Sequence, residues 1–346
     1  MSSMDNLRCA VVGVGRMGRH HARVYSELPG VDFVGVVDHD PERAADAVER
    51  NGGEVFASID ALIEHGVDAV TIATPTIHHL ADAEALLAQG VACLIEKPLA
   101  PDAHEAEAIQ SQAEASGAVL QVGHVVRFDP VMQAIRRLDG LSPRFIEMTR
   151  ISPLTFRSLD VGVVLDMMIH DLDLLLMFIG QEPEEVHASA VRVVSEAEDL
   201  CNARLVFPPD AEGNRCVANV TASRLALKTE RKLRIISDSA YISADFVERS
   251  GTIVQRTANA EQLQSIRAQL ADGSDLSDVN YLDLVSIETL EVGDEEPLRL
   301  QAEAFLDAVR TGCSPEVDAE AGSAAVRTAE RIVEAAGSVG ARMFDA

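Results

Sequence analysis

The chain has 346 residues, a length that suggests two domains, and a 47% hydrophobic content that can fill two cores. Its formal net charge of −27 argues against nucleic acid or an anionic membrane surface as a partner, since each requires a basic face. Five scattered cysteines (Cys9, Cys93, Cys201, Cys216 and Cys313) show no C-x-x-C or metal-type spacing, so no metal site is expected.

The first five residues lack the layout of a signal peptide, and no apolar run approaches about 18 residues, so a soluble, cytoplasmic protein is expected. From residue 7 onward, short apolar runs alternate with amphipathic stretches. Runs 7–12, 31–38, 68–73, 91–95 and 119–122 read as strands buried on both faces, with helices at 16–28, 41–50, 58–65, 77–89 and 102–116. Pro41 suits a first helical turn, and Gly90 and Gly117 suit helix stops. This alternation predicts an α/β Rossmann domain over 1–124, built on a doubly wound parallel sheet. Beyond it, helices at 129–138 and 164–179 precede runs of strand character at 186–194, 203–207, 217–222, 233–236 and 240–244. Consecutive strands predict an α+β domain over 125–346 with a large, mainly antiparallel open sheet. The polar tract 255–280, with Leu263, Ile266 and Leu270 at helical spacing, reads as an insertion. Helices at 298–310 and 320–336 close the chain and are expected to pack back near the domain junction.

Gly13-Val14-Gly15-Arg16-Met17-Gly18 follows the first strand and opens the first helix, the context that a dinucleotide fingerprint requires. Asp38 ends the second strand, where a carboxylate accepts hydrogen bonds from an adenosine ribose and repels a 2′-phosphate. NAD is the expected cofactor; nearby Arg43 leaves NADP open. The run ending at residue 73 leads into Thr74, Pro75 and His78, which should border the same ligand, while His79 reads as a solvent-facing helix residue. The run ending at Ile95 leads into Glu96-Lys97-Pro98, which should complete that border.

Lys97 is one of three lysines, with Lys228 and Lys232. Lysine, unlike arginine, has a pKa that burial and neighbours can move into a useful range, so Lys97 is a candidate for proton chemistry; a plain surface lysine is the alternative. Asp166 and His170 are four residues apart in a predicted helix, which places them on one face. A carboxylate there can fix the imidazole's tautomer, although Asp171 and Asp173 nearby also fit a merely solvated helix face.

Taken together, the glycine fingerprint, Thr74-Pro75-x-x-His78, Glu96-Lys97-Pro98 and Asp166-x-x-x-His170 resemble the glucose-fructose oxidoreductase / inositol dehydrogenase (Gfo/Idh/MocA) family. The resemblance spans nearly the whole chain, through Phe305, Gly312, Pro315 and Val317 to the last helix. It implies hydride transfer between a secondary alcohol of a sugar and the nicotinamide. His170 would take the hydroxyl proton and Asp166 would orient it. Lys97 would either hold the oxygen or tune the transfer by its charge. It also implies a cis Lys97–Pro98 bond and a homodimer or homotetramer formed through the second sheet. The tract from His124 to Asp173 looks most like UDP-N-acetylglucosamine 3-dehydrogenase-type members, although those usually carry Asn-Pro where this chain has Asp129-Pro130. Its basic residues His124, Arg127, Arg150 and Arg157 are candidates to meet an anionic group such as a diphosphate, with ion pairs to the abundant acids as the alternative. Two rival functions fit the same fold: a non-catalytic NAD-binding regulator, which predicts loss of the proton-handling residues although Lys97, Asp166 and His170 are all present, and a sugar lyase or hydrolase that oxidises its substrate only transiently.

Overall fold

Apolar runs become the strands of a first sheet in the computed structural model, which describes residues 6–138, 140–155, 161–258, 260–273, 279–337 and 341–342. The strands are β1 (Leu7–Val12), β2 (Val31–Val37), β3 (Glu54–Phe56), β4 (Ala69–Ile72), β5 (Ala92–Glu96) and β6 (Leu120–Gly123). They pair in the order β3-β2-β1-β4-β5-β6, all parallel. Between them run α1 (Gly18–Glu27), α2 (Pro41–Asn51), α3 (Ile59–His65), α4 (His79–Leu87) and α5 (Ala103–Ser116). Helix starts follow local chemistry: the side chains of Asp40, Ser58 and Asp102 accept hydrogen bonds from first-turn amides of α2, α3 and α5. Strand order reverses between β1 and β4, and this switch point positions the site. The edge strand β3 carries only one buried side chain, Phe56, too little to form a periodic signal.

The second sheet has nine strands, in the order β14-β13-β12-β11-β7-β10-β9-β8-β15. Chain order gives α6 (Pro130–Arg136), β7 (Pro143–Ile151), a single wide π turn over Val164–Met168, α7 (Ile169–Ile179) and β8 (Glu185–Arg192). Then follow β9 (Leu200–Val206), β10 (Val217–Ser223), β11 (Glu230–Ser237), β12 (Ala240–Asp245), β13 (Ser250–Arg256), α8 (Ala260–Ala271) and β14 (Val285–Thr289). Pairing is antiparallel except between β7 and β10 and between β8 and β15 (Ala341–Arg342). Side chains alternate as a one-sided sheet demands. Ile146, Met148, Ala203, Leu205, Leu233 and Ile235 are buried in one core, while Glu147 and Arg234 lie on the opposite face. Strands β7, β13 and β14 were not expected from the sequence, because their inward positions mix apolar residues with Arg150, Gly251 and Ser286. The tract 255–280 is not wholly an insertion: β13 runs to Arg256, and α8 occupies Ala260–Ala271.

The last helices, α9 (Pro297–Thr311) and α10 (Ala319–Gly337), bind the two sheets together. Leu298, Ala302, Phe305 and Leu306 of α9 share a core with Val11, Val24 and Tyr25 of the first domain. Val326 of α10 packs with the first domain, whereas Ala325, Ala329 and Ile332 pack beneath the second sheet.

Candidate active site

Three glycines shape the turn from β1 into α1, each for a different steric reason. Gly13 has φ +84°, and a Cβ there would stand 2.7 Å from the Thr74 nitrogen. At Gly18 a Cβ would fall 1.7 Å from the Gly13 carbonyl oxygen, so the turn and the helix can touch only without a side chain. A Cβ at Gly15 would meet nothing within 4 Å, because this residue faces open space. That space is a cleft of about 810 Å³ lined by Gly13, Gly15, Arg16, Met17, Asp38, Thr74, Pro75, His78, Glu96, Lys97 and Pro98. Arg43, noted from the sequence as close to the ribose acid, also lines it, as do His39, Thr76 and Asp82, which were missed because nothing in their spacing distinguishes them from ordinary helix-start residues. The floor of glycines, the start of α1 and the acid at the end of β2 fit an extended dinucleotide.

Asp38 serves the loop as well as facing the cleft. Its Oδ2 accepts from the Val14 amide at 2.7 Å, inside the glycine turn, and its Oδ1 accepts from the Asp40 amide at 2.8 Å. Thr74 donates its hydroxyl to Asp82 at 2.7 Å, which steadies the loop after β4. His79 does not face solvent: it is 1% exposed, with Nδ1 3.1 Å from the Leu99 carbonyl oxygen and Nε2 3.0 Å from that of Thr74. Helical position alone could not show that the loop after β5 covers this residue.

Lys97 follows β5, and its bond to Pro98 is cis. Its side chain is 16% exposed and crosses to the π turn of the second domain. There Nζ donates to the Asp166 carbonyl oxygen at 2.6 Å and lies 3.6 Å from the Asp166 carboxylate. Burial lowers the pKa of Lys97, and the charges of Arg150 and Arg16 add to that, against the opposing pull of Asp166 and Glu96. Burial opposes the ionisation of Glu96. The hydrogen bond from His21 at 2.7 Å, with the charges of His21 and Lys97, nevertheless holds its pKa below the usual range.

His170 lies just beyond the π turn. The expected hydrogen bond from the His170 ring to the Asp166 carboxylate is not formed. The regular helix begins only at Ile169, so the four-residue spacing straddles a wide turn, and the Asp166 carboxylate approaches Lys97 instead. The His170 Nδ1 is buried with no hydrogen-bond partner. Burial drives its pKa well below the ordinary value, and the charges of Lys97 and Arg150 push it further, so the ring is neutral at physiological pH.

The basic tract divides. His124 is 1% exposed and packs edge-on against His170, with ring centroids 6.4 Å apart and neither of its nitrogens hydrogen bonded. Arg127 does not line this cleft. It is buried in a two-pronged pair with Asp173 (2.8 and 2.6 Å) and also donates to the Glu316 carbonyl oxygen at 3.0 Å. Arg150 is likewise committed, to Asp171 at 2.6–3.1 Å. Arg157 lies outside the described residues. Asp129 caps α6 through the Val131 amide at 2.9 Å, a role an asparagine fills equally well.

Comparison with known proteins agrees with this geometry. A family model described as an oxidoreductase family with an NAD-binding Rossmann fold matches residues 7–124, and one described as the GFO/IDH/MocA C-terminal domain matches 146–243. A UDP-N-acetylglucosamine 3-dehydrogenase from Acidithiobacillus ferrooxidans is 40% identical over 255 residues, covering 74% of this chain and 79% of that protein. A scyllo-inositol 2-dehydrogenase (NAD(+)) from Bacillus subtilis is 33% identical over 187 residues, 51% of this chain and 55% of its own length. A solved structure of the Acidithiobacillus ferrooxidans enzyme superposes with a TM-score of 0.83 and 34% identity, over 96% of this chain and 98% of that one. The chain belongs to the GFO/IDH/MocA family of oxidoreductases, with an NAD-binding Rossmann domain.

Proposed function

We propose that this protein is an NAD-dependent dehydrogenase that oxidises a secondary alcohol of a nucleotide sugar, the 3-hydroxyl of a UDP-N-acetyl sugar. The observation that carries the reading is the junction between domains. Lys97, at the ligand edge of the first sheet, is bonded to the Asp166 turn, with a neutral His170 beside it. Gly13, Gly15, Arg16 and Met17 would hold the pyrophosphate at the start of α1, and Asp38 would take the adenosine ribose and disfavour the 2′-phosphate of NADP. Bound NAD supplies the carbon that accepts the hydride. His170 accepts the hydroxyl proton. Lys97, anchored on the Asp166 carbonyl oxygen, donates to the substrate oxygen as negative charge develops there. Asp166 therefore positions Lys97, where the sequence pattern pointed to His170. The UDP-sugar assignment is supported by the 40% identical relative, which is named for that activity.

A homodimer or homotetramer in the cytoplasm completes the proposal. Its support is the outer face of the nine-stranded sheet, where Ile236 and Ile287 stand exposed among cross-strand polar pairs such as Asn202–Thr221. Light scattering that finds only monomers removes this part. The function is tested by NADH absorbance with NAD and UDP-N-acetylglucosamine, myo-inositol or glucose. Stoichiometric NADH from the UDP-sugar is expected. Sugar turnover without net NADH favours transient oxidation with elimination or hydrolysis, and tight NAD binding with no turnover of any sugar favours a regulator.

A further inference from the structure

Arg231 opens β11 directly across from Arg150 on β7. Cross-strand partners point to the same face, so both arginines lie on the inner face that continues through Leu233 and Ile235. Their engagements differ. Arg150 spends its guanidinium on Asp171, whereas Arg231 is exposed and its side chain makes no hydrogen bond or ion pair among the described residues. Asp129, Asp171 and Arg249 surround this corner, and neither carboxylate comes within ion-pair distance of Arg231. Asp171 is already held by Arg150, and Asp129 by the Val131 amide. Arg231 also stands one strand from Arg150, whose guanidinium bonds Asp171, the residue after His170. In a chain of net charge −27, a guanidinium on this inner face without a carboxylate partner is an unusual local excess of positive charge.

Resting on the nucleotide-sugar reading above, we infer that Arg231 is the residue that binds the anionic part of the substrate, the diphosphate of a nucleoside diphosphate-sugar. Its planar fork can bridge two phosphate oxygens, while the Asp171-locked Arg150 keeps the neighbouring position rigid.

The test is calorimetry of UDP and uridine binding to the NAD-loaded protein, in wild type, Arg231→Met and Arg231→Lys. Loss of a charge-assisted contact predicts about ten- to hundredfold weaker UDP binding for Arg231→Met and a smaller loss for Arg231→Lys. Uridine affinity, NAD affinity and Tm should hold. Equal UDP binding by wild type and Arg231→Met overturns the role of Arg231 and leaves the nucleotide-sugar reading standing. A loss of uridine affinity, NAD affinity or Tm that matches the loss of UDP binding overturns it as well, since Arg231 would then be structural. Wild-type protein that ignores UDP and oxidises only an uncharged sugar overturns both.

Discussion

His170 and Lys97 have pKa values displaced in the same direction by the same cause, burial among like charges, yet the reaction needs them in opposite states. His170 accepts a proton only when neutral. Its pKa lies well below 6.5, so kcat/KM for oxidation should stay high as pH falls through 6.5 and drop only beyond it. Lys97 aids the developing alkoxide only while protonated, and its pKa is lowered from 10.5, so kcat/KM should fall on the basic side before pH 10.5. His170→Ala should abolish the acid limb, Lys97→Met should abolish the basic limb, and each should cut turnover by about 10²–10⁴-fold with little change in NAD affinity. Near wild-type rates in both variants would overturn the mechanism. Asp38→Ala should weaken NAD by about ten- to hundredfold and narrow the preference over NADP, with kcat less affected. A paired titration with the two cofactors decides this, and unchanged ratios would mean that Asp38 serves only the Val14 and Asp40 amides. All three positions were legible in the sequence because each sits at a strand end or in a short motif. His79 was not, because its burial comes from the Leu99 carbonyl, twenty residues away in the chain.

At the scale of elements, the turn after β6, α7 and the approach to α10 are joined by one side chain. Arg127 bonds Asp173 on α7 and the Glu316 carbonyl before α10, all in the protein interior. Breaking one partner of a buried pair leaves an uncompensated charge, so Arg127→Met should cost about 3–5 kcal/mol of stability. Denaturant unfolding measures it. If Arg127→Met leaves stability unchanged and raises only the substrate KM, the residue contacts substrate after all. The sequence placed Arg127 in the right tract and could not say which carboxylate it meets. Asp171 and Asp173 differ by two positions, and each takes a different arginine. The π turn is another feature with no sequence signal. It separates Asp166 from His170 and delivers the Asp166 carbonyl to Lys97.

For the whole molecule, the last helices decide whether the first domain is stable. Phe305 is fully buried on α9 with Tyr25, Val24 and Leu306, although it lies far along the chain from the Rossmann strands. Phe305→Ala should therefore destabilise the cofactor domain by about 3–5 kcal/mol, as large core deletions do. NAD-dependent thermal shifts provide the readout. If the NAD-bound Tm is unchanged, α9 is only docked and the first domain folds without it. The second sheet joins the same unit through α10, which gives Val326 to one core and Ile332 to the other.

Local chemistry was enough to define much of this protein. Doubly buried apolar runs dictate a parallel sheet, closely spaced glycines after the first strand mark the tight turn into α1, and strand ends gather Asp38, Thr74 and Lys97 on one edge. These follow from backbone sterics and from side-chain period along a single strand or helix. Partner choice among charges was decided only in three dimensions. Asp166 turns to Lys97, Arg127 and Arg150 are consumed by neighbouring aspartates, and Arg231 is left open, because pairing depends on which side chains a nine-stranded sheet and its covering helices bring within a few ångströms. That distance has no counterpart in sequence separation, so Lys97 was recognisable from its motif while the carbonyl that holds it was not.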